Sequence, residues 1–218
     1  SVHFVGNDRI VYRLNGYDTL RISTHAIEFR IASASWFRAF VYSQEGAKFY
    51  VLNTDVGTFA YDMSTSAWHE RRSLGYDNYR ASTSAEAYGR TFFGDAYTGK
   101  LYIPNLDSYT ENGAIIPVEM ELPSIQTDRL KSTLYSVEMQ CETGVGNADD
   151  PDPVVIMQYS RDGGRTFSAE LSRPLGRVGE YLTRPIWRCG VSFRQLQLRF
   201  QLPSATKRYA IAVWADVR

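Results

Sequence analysis

The sequence predicts an all-β protein in which partial β-propeller blades precede a β-sandwich-like domain. Three observations carry that prediction. A strand–turn–strand layout recurs at a period near forty in the first part of the chain. Longer alternating segments follow residue 122, and an Asp-box hairpin signature lies near the C-terminus. The expected domains are 1–122, propeller-type repeats, and 123–218, an antiparallel sandwich-like domain carrying the Asp-box hairpin.

Residues 49–62 read as strand, turn, strand, and residues 91–103 repeat the layout. Asn53 matches Asp95 and Gly57 matches Gly99, each 42 residues apart (95−53 and 99−57). An earlier copy, Tyr12 to Asn15, matches Tyr50 to Asn53 at a spacing of 38 (50−12). A period near forty with about four short strands per unit is the pattern of propeller blades. Trp68 ends the second unit, where a large ring can fill the gap between neighbouring sheets. About three units are countable, and the first lacks its innermost strand, whereas a closed propeller takes about four blades or more. Further blades upstream or an unconventional closure would reconcile the two. Residues 2–5 already read as a strand and no Met opens the chain, so the sequence is expected to begin at a fragment boundary.

After Leu122-Pro123 the strands lengthen. Lys131 to Cys141 is one, and Pro153 to Tyr159 and Thr166 to Leu171 flank the Asp-box turn. Phe193 to Leu202 alternates, with Phe193, Leu196, Leu198, Phe200 and Leu202 apolar between polar neighbours, and Lys207 to Val217 closes the chain. Long alternating strands joined by hairpins suggest a sandwich. Residues 144–153 are rich in Gly, Pro and Asp and read as a loop. No segment predicts a helix.

The Asp-box comprises Ser160, Asp162, Gly163, Gly164, Thr166 and Phe167, in the pattern Ser-x-Asp-x-Gly-x-Thr-aromatic. Asp162 can accept hydrogen bonds from the backbone of its own turn. Gly163 and Gly164 supply the positive φ values a tight hairpin needs. Thr166 and Phe167 are expected to start the return strand, with the aromatic ring turned inward. The motif is a folding device, and it marks all-β proteins that meet polysaccharides or assemble into larger particles.

Composition narrows the function classes. The 218 residues are 44% hydrophobic and 14% aromatic, ample for a core, and the aromatic share favours strands. Lys plus Arg and Asp plus Glu both number 24, and that balance argues against a general nucleic-acid or acidic-membrane binder. Cys141 and Cys189 form no CxxC pair and read as small buried hydrophobes. No apolar run approaches the roughly 18 residues of a membrane span.

Candidate chemistry is sparse. A sialidase-like site, the first idea an Asp-box suggests, needs converging arginines, a Tyr–Glu nucleophile pair and an acid Asp. Arginines are plentiful, but one Asp-box and about three blades do not assemble that site. The run Asp149-Asp150-Pro151-Asp152 offers oxygen ligands without the alternate spacing of a calcium loop, and reads as solvated. His3, His25 and His69 are scattered, without metal-ligand spacing. No catalytic, cofactor-binding or metal-binding residue is assigned. Arg177, Arg184, Arg188, Arg194 and Arg199 make the C-terminal region locally basic. Nucleic-acid contact and ion pairing between subunits both remain open for them.

Three blocks are similar to one family: residues 16–28, residues 58–71, and Tyr159 to Phe167 continued by residues 175–188. Together they resemble the C-terminal part of the packaged-DNA stabilisation proteins, the tail hub or tail accessory factors of short-tailed phages. The third block is the most specific, and Phe167 stands where that turn more usually carries Trp. The resemblance implies a virion tail component, made in the host cytoplasm, with no catalysis and no cofactor. It implies a homo-oligomeric, hexameric ring in a longer full-length form, joining the portal–adaptor to tailspikes or fibres and the tail needle. Packaged DNA would be retained and passed without specific binding, and no membrane partner is implied. Arg177, Glu180, Tyr181, Arg184 and Arg188 are its candidate interface residues. A carbohydrate-binding or sialidase-like Asp-box propeller protein is the alternative.

Overall fold

A computed structural model describes residues 2–127 and 130–218. The chain divides into two compact units, Ser1–Ser108 and Tyr109–Arg218.

The first unit is a succession of antiparallel meanders. β1 (His3–Val5), β2 (Val11–Asn15) and β3 (Asp18–Arg21) form a three-stranded sheet. A helix follows, α1 (His25–Ile31). β4 (Phe37–Gln44), β5 (Ala47–Thr54), β6 (Gly57–Asp62) and β7 (Ala67–Arg71) form a four-stranded sheet in chain order. β8 (Ala81–Ala87), β9 (Arg90–Asp95) and β10 (Leu101–Tyr102) form the third. The matched repeats are the hairpins of successive sheets. Asn15 ends β2, Asn53 pairs with Thr58 across the β5–β6 turn, and Asp95 ends β9.

Alternation along β5 explains why the middle sheet is the most buried. Tyr50 and Leu52 face one side, where they join Phe59, Tyr61, Val11 of β2 and Ile31 of α1. Val51 faces the other, with Phe40, Tyr42, Ala60, Ala81 of β8 and Phe93 of β9. Both faces are covered, so β6 reads as a nearly continuous buried run rather than an alternating one. Trp68 of β7 packs against Tyr50 and Tyr61 and donates its indole N–H to the Ile22 carbonyl at 2.8 Å. The expected gap-filling Trp therefore ties the middle sheet to the segment after β3.

The helix corrects the all-strand expectation. Thr24 is its N-cap, with an extended backbone and a hydroxyl accepting from the Ile27 amide. Glu28 in the first turn suits the positive end of the helix and is forked by Arg21 at 2.7 and 2.5 Å. Seven residues are too few for hydrophobic periodicity to stand out, so the cap was the only legible signal.

The second unit opens with a short hairpin, β11 (Thr110–Glu111) and β12 (Ala114–Ile115). β13 (Val118–Glu121) and β14 (Ile125–Gln126) follow. The longer strands are β15 (Ser132–Cys141), β16 (Val154–Ser160), β17 (Leu171–Pro174), β18 (Ile186–Phe193), β19 (Gln195–Leu202) and β20 (Ala210–Val217). One sheet has the order β13-β19-β16-β17, with β14 also on β19, and the other has the order β18-β15-β20. They enclose one core: Leu134, Val137 and Met139 from β15, Val155 and Met157 from β16, Trp187 from β18, and Leu196, Leu198, Phe200 and Leu202 from β19. Trp187 is fully buried, meets Phe200 at 5.6 Å between ring centroids, and donates to the Leu171 carbonyl at 2.6 Å.

Three boundaries differ from expectation. Residues 109–122 belong to the second unit, because β13 pairs with β19 in the register Val118↔Leu202 to Glu121↔Arg199. Ile186–Phe193, not read as a strand from sequence, is β18, and Phe193 ends it rather than starting β19. Thr166 to Leu171 is not a strand: regular pairing of the return leg begins at Met157↔Leu171.

The first unit also buries an ion pair. Arg80 and Asp95 meet at 2.9 Å with side-chain exposures of 6% and 0%. Burial alone would raise the Asp95 carboxyl. Hydrogen bonds from the Thr98 hydroxyl, the Tyr97 amide and Arg80 outweigh it and hold the group well below the usual carboxylate range.

Two outcomes test these assignments. Trp187→Ala should destabilise the chain by about 3–5 kcal/mol, read by chemical denaturation, because it empties the largest site in the core. Asp95→Asn should cost about 3–5 kcal/mol, because it leaves a buried guanidinium without its counter-charge. The same lowered carboxyls set the acid response. Asp62, held at about 2 by the Ser64 hydroxyl and amide, and Asp95 both stabilise the fold above the ordinary value of 3.8. Stability should therefore fall as pH drops below 3.8 toward about 2, and a melting temperature that is flat across that window would contradict the assignment.

Candidate functional site

The Asp-box turn connects β16 to the return leg, and its geometry follows from one serine and one aspartate. Ser160 ends β16 and is buried. Its hydroxyl donates to Asp162 Oδ1 at 2.7 Å and accepts from the Gly164 amide at 2.9 Å. Asp162 then gathers the turn: Oδ1 accepts from the amides of Arg165 (3.0 Å) and Thr166 (2.9 Å), and Oδ2 accepts from the Thr166 hydroxyl (2.6 Å). Those bonds, led by the Thr166 hydroxyl, hold its carboxyl well below the usual range. An acid so lowered, with both oxygens occupied, is poorly suited to donate a proton in catalysis.

Gly163 and Gly164 have φ of +76° and +86°. A Cβ on Gly164 would stand 2.7 Å from the movable end of the Gln197 side chain, so it is the left-handed backbone that requires glycine here. The turn thus lies over the outward-facing residues of β19. Phe167 follows it there. Its ring is half-buried beneath the Arg199 guanidinium, 3.6 Å from the ring centroid, rather than turned into the core. Arg199 is itself held by Glu121 of β13, at 2.8 and 2.5 Å. The expectation that this aromatic turns inward is therefore corrected. Leu198 and Phe200 already fill the inward positions, and the planar cation offers the ring a stacking partner instead. The signal was present in the sequence as the outward series Gln197, Arg199, Gln201 on β19, matched by Glu119 and Glu121 on β13.

The five candidate interface residues divide. Arg177, Glu180, Tyr181 and Arg184 lie on the segment between β17 and β18. Arg177 forks Asp152, and its amide donates to Glu180 at 2.9 Å. Arg184 forks Glu138 of β15 at 2.7 and 2.6 Å. Tyr181 is 68% exposed and its neighbour Leu182 is 95% exposed. Arg188 stands apart, exposed on β18 opposite Ser136.

The remaining candidates have structural partners. The acidic run is pinned: Asn147 Oδ1 accepts from the amides of Asp149 and Asp150, and Asp152 holds Arg177. His3 stacks on Tyr50, His25 pairs with Glu28, and His69 meets Phe49 edge-on and accepts from Arg71 at 3.0 Å. Burial and the Arg71 charge pull the His69 imidazole down to about 4. Cys141 and Cys189 are free, half-buried thiols, and burial pushes Cys141 up to about 11. Among the described residues no group of His, Cys, Asp and Glu is arranged to hold a metal ion. No helix among them is long and apolar enough to cross a membrane.

Residues 118–215 match the family model described as the bacteriophage P22 Gp10 β-sandwich. The match runs from the first residue of β13 into β20, across both sheets of the second unit. An exo-beta-1,3-galactanase from Phanerochaete chrysosporium, solved with galactose, aligns at a TM-score of 0.25 and 8% identity. That alignment covers 99% of this chain and 66% of the galactanase, just under two thirds, and so weak a likeness carries no argument. No curated protein matches the chain.

Substitutions in the turn test its construction. Gly164→Ala should cost about 1–2 kcal/mol from the left-handed backbone alone. Asp162→Ala should lower the melting temperature more than Asp162→Asn, which keeps one acceptor oxygen. Equal melting of all three with the unaltered chain would show that the turn does not depend on these contacts.

Proposed function

We propose that this chain is the C-terminal portion of a structural tail-hub protein of a short-tailed phage, a non-catalytic component of the virion. The observation that carries the reading is the match of residues 118–215 to the P22 Gp10 β-sandwich. The family resemblance of residues 16–28, 58–71, and 159–167 with 175–188 points the same way.

The charge arrangement supports a scaffold. Arg21, Arg30, Arg80, Arg177, Arg184 and Arg199 each hold a carboxylate of their own chain, so these arginines do not converge on a shared substrate carboxylate. A ring subunit needs rigid modules with unlike surfaces on its two sides. The stacked meanders of the first unit, read as propeller-type blades, and the sandwich of the second supply such modules. Exposed Tyr181 and Leu182, bracketed by Arg177 and Arg184, have the aromatic and arginine character of subunit contacts. In this reading the full-length protein forms a hexameric ring beneath the portal–adaptor and carries tailspikes or fibres and the needle. It retains packaged DNA without gripping it, because strong phosphate contacts would impede ejection.

Negative-stain microscopy of the full-length protein mixed with the portal–adaptor complex of its phage tests this. Added ring density beneath the adaptor is expected. A monomer that leaves the complex unchanged would remove the main support for the hub reading. Tyr181→Ala with Leu182→Ser should weaken ring formation while leaving the melting temperature within a few degrees, since both side chains are exposed.

A further inference from the structure

At the end of the sandwich where β16 runs out and β18 turns into β19, the Asp-box turn borders a cleft of about 740 Å³. Its lining includes Lys131, Arg161 and Arg194, with Tyr159, Phe167 and Phe193 as the aromatic residues. Arg177, Arg184, Arg199 and Arg218 of this unit each pair with a carboxylate of their own chain, whereas Lys131, Arg161 and Arg194 form no ion pair among the described residues. The one lining carboxylate is Asp162, whose oxygens are consumed inside the turn. Three cations against one carboxylate leave the cleft positive in a chain of zero net charge. The Tyr159 hydroxyl has no hydrogen-bond partner among the described residues, and its ring lines the same cleft.

We propose that this cleft is a binding subsite for an acidic saccharide, its carboxylate or phosphate held by Lys131, Arg161 and Arg194 and a sugar ring set against Tyr159. The volume falls within the range of roughly 300–1,000 Å³ that small-ligand sites occupy. Arginine forks suit planar or tetrahedral oxyanions. An acidic peptide fits less well. A peptide added by main-chain pairing would need free backbone donors, and the amides of Asp162, Gly164, Arg165, Thr166 and Ser168 are already donated within the turn. A nucleic-acid duplex fits less well too, because three cations at one cleft do not make the extended basic face that backbone tracking needs. The inference rests on the cleft alone and stands whether or not the tail-hub reading holds.

Calorimetric titration of the 218-residue chain tests it, with polygalacturonate oligomers as the carboxylate probe and phosphorylated mannan as the phosphate probe. Neutral dextran, poly-glutamate and a short DNA duplex serve as contrasts. At least one acidic saccharide should bind with an affinity that falls as salt rises, and which of the two binds identifies the oxyanion. The double variant Arg161→Gln, Arg194→Gln should weaken that binding about tenfold, equivalent to about 1.4 kcal/mol. Tyr159→Phe should weaken it by a smaller factor, and decides the matter if the double variant fails to melt cooperatively. The proposal is overturned if neither acidic saccharide binds, or if poly-glutamate or the duplex binds as tightly. It is equally overturned if binding survives the variants unchanged.

Discussion

The second unit depends on the alternation of β19. Leu196, Leu198, Phe200 and Leu202 point into the core, and Gln197, Arg199 and Gln201 point out. Because side chains alternate with a strict period of two, the strand can be placed in only one way without exposing four large apolar groups. That placement fixes both partners. β16 lies on one flank, from Ile156↔Gln201 to Ser160↔Gln197, and β13 lies on the other. Once β16 is fixed, Ser160 ends it over the outer face of β19, and the Asp-box turn has Gln197 and Arg199 beneath it. The cleft beside the turn is a consequence of the same register, since Tyr159 and Phe193 reach it from strands anchored to this core.

The legible parts of the sequence were those where a single period or a single local motif decides the structure. The alternation of residues 193–202 and the lengths of β15 and β16 follow from the pattern alone. The Asp-box could be read down to its hydrogen bonds, because Ser160, Asp162, Gly164 and Thr166 bond almost entirely to one another. What stayed hidden depended on distant partners. Phe167 was expected inside, and its place under Arg199 is set by Glu121, 78 residues from Arg199 in the chain. The domain boundary was hidden because Val118–Glu121 is too short to reveal its pairing with β19. The helix was hidden because its seven residues, about two turns, are too few to show a period. The repeat near forty was visible and corresponds to hairpins in three successive sheets.

The two units also manage buried polarity differently. In the first, charge is taken inside as a fully surrounded pair, Arg80 with Asp95, where aromatic rings of Tyr76 and Tyr97 flank the guanidinium. Such pairs contribute little net stability but penalise every arrangement that separates them. In the second, ion pairs such as Arg177–Asp152 and Arg184–Glu138 sit at the surface and set the loop between β17 and β18 in place. Exposed pairs of this kind contribute modestly to folding. Their effect is to order a loop that carries the exposed side chains of Tyr181 and Leu182.

Native-state hydrogen exchange resolved by residue tests the central claim most directly, namely that β19 organises the sandwich. The amides of β19 and β16 should be the slowest in Tyr109–Arg218 and should exchange together, at the free energy of global unfolding. Asp162→Ala should speed exchange in residues 160–168 while leaving β19 protected. If β19 exchanges as early as the short edge strand β17, or if loosening the turn releases β19 with it, the sandwich is not built on that strand.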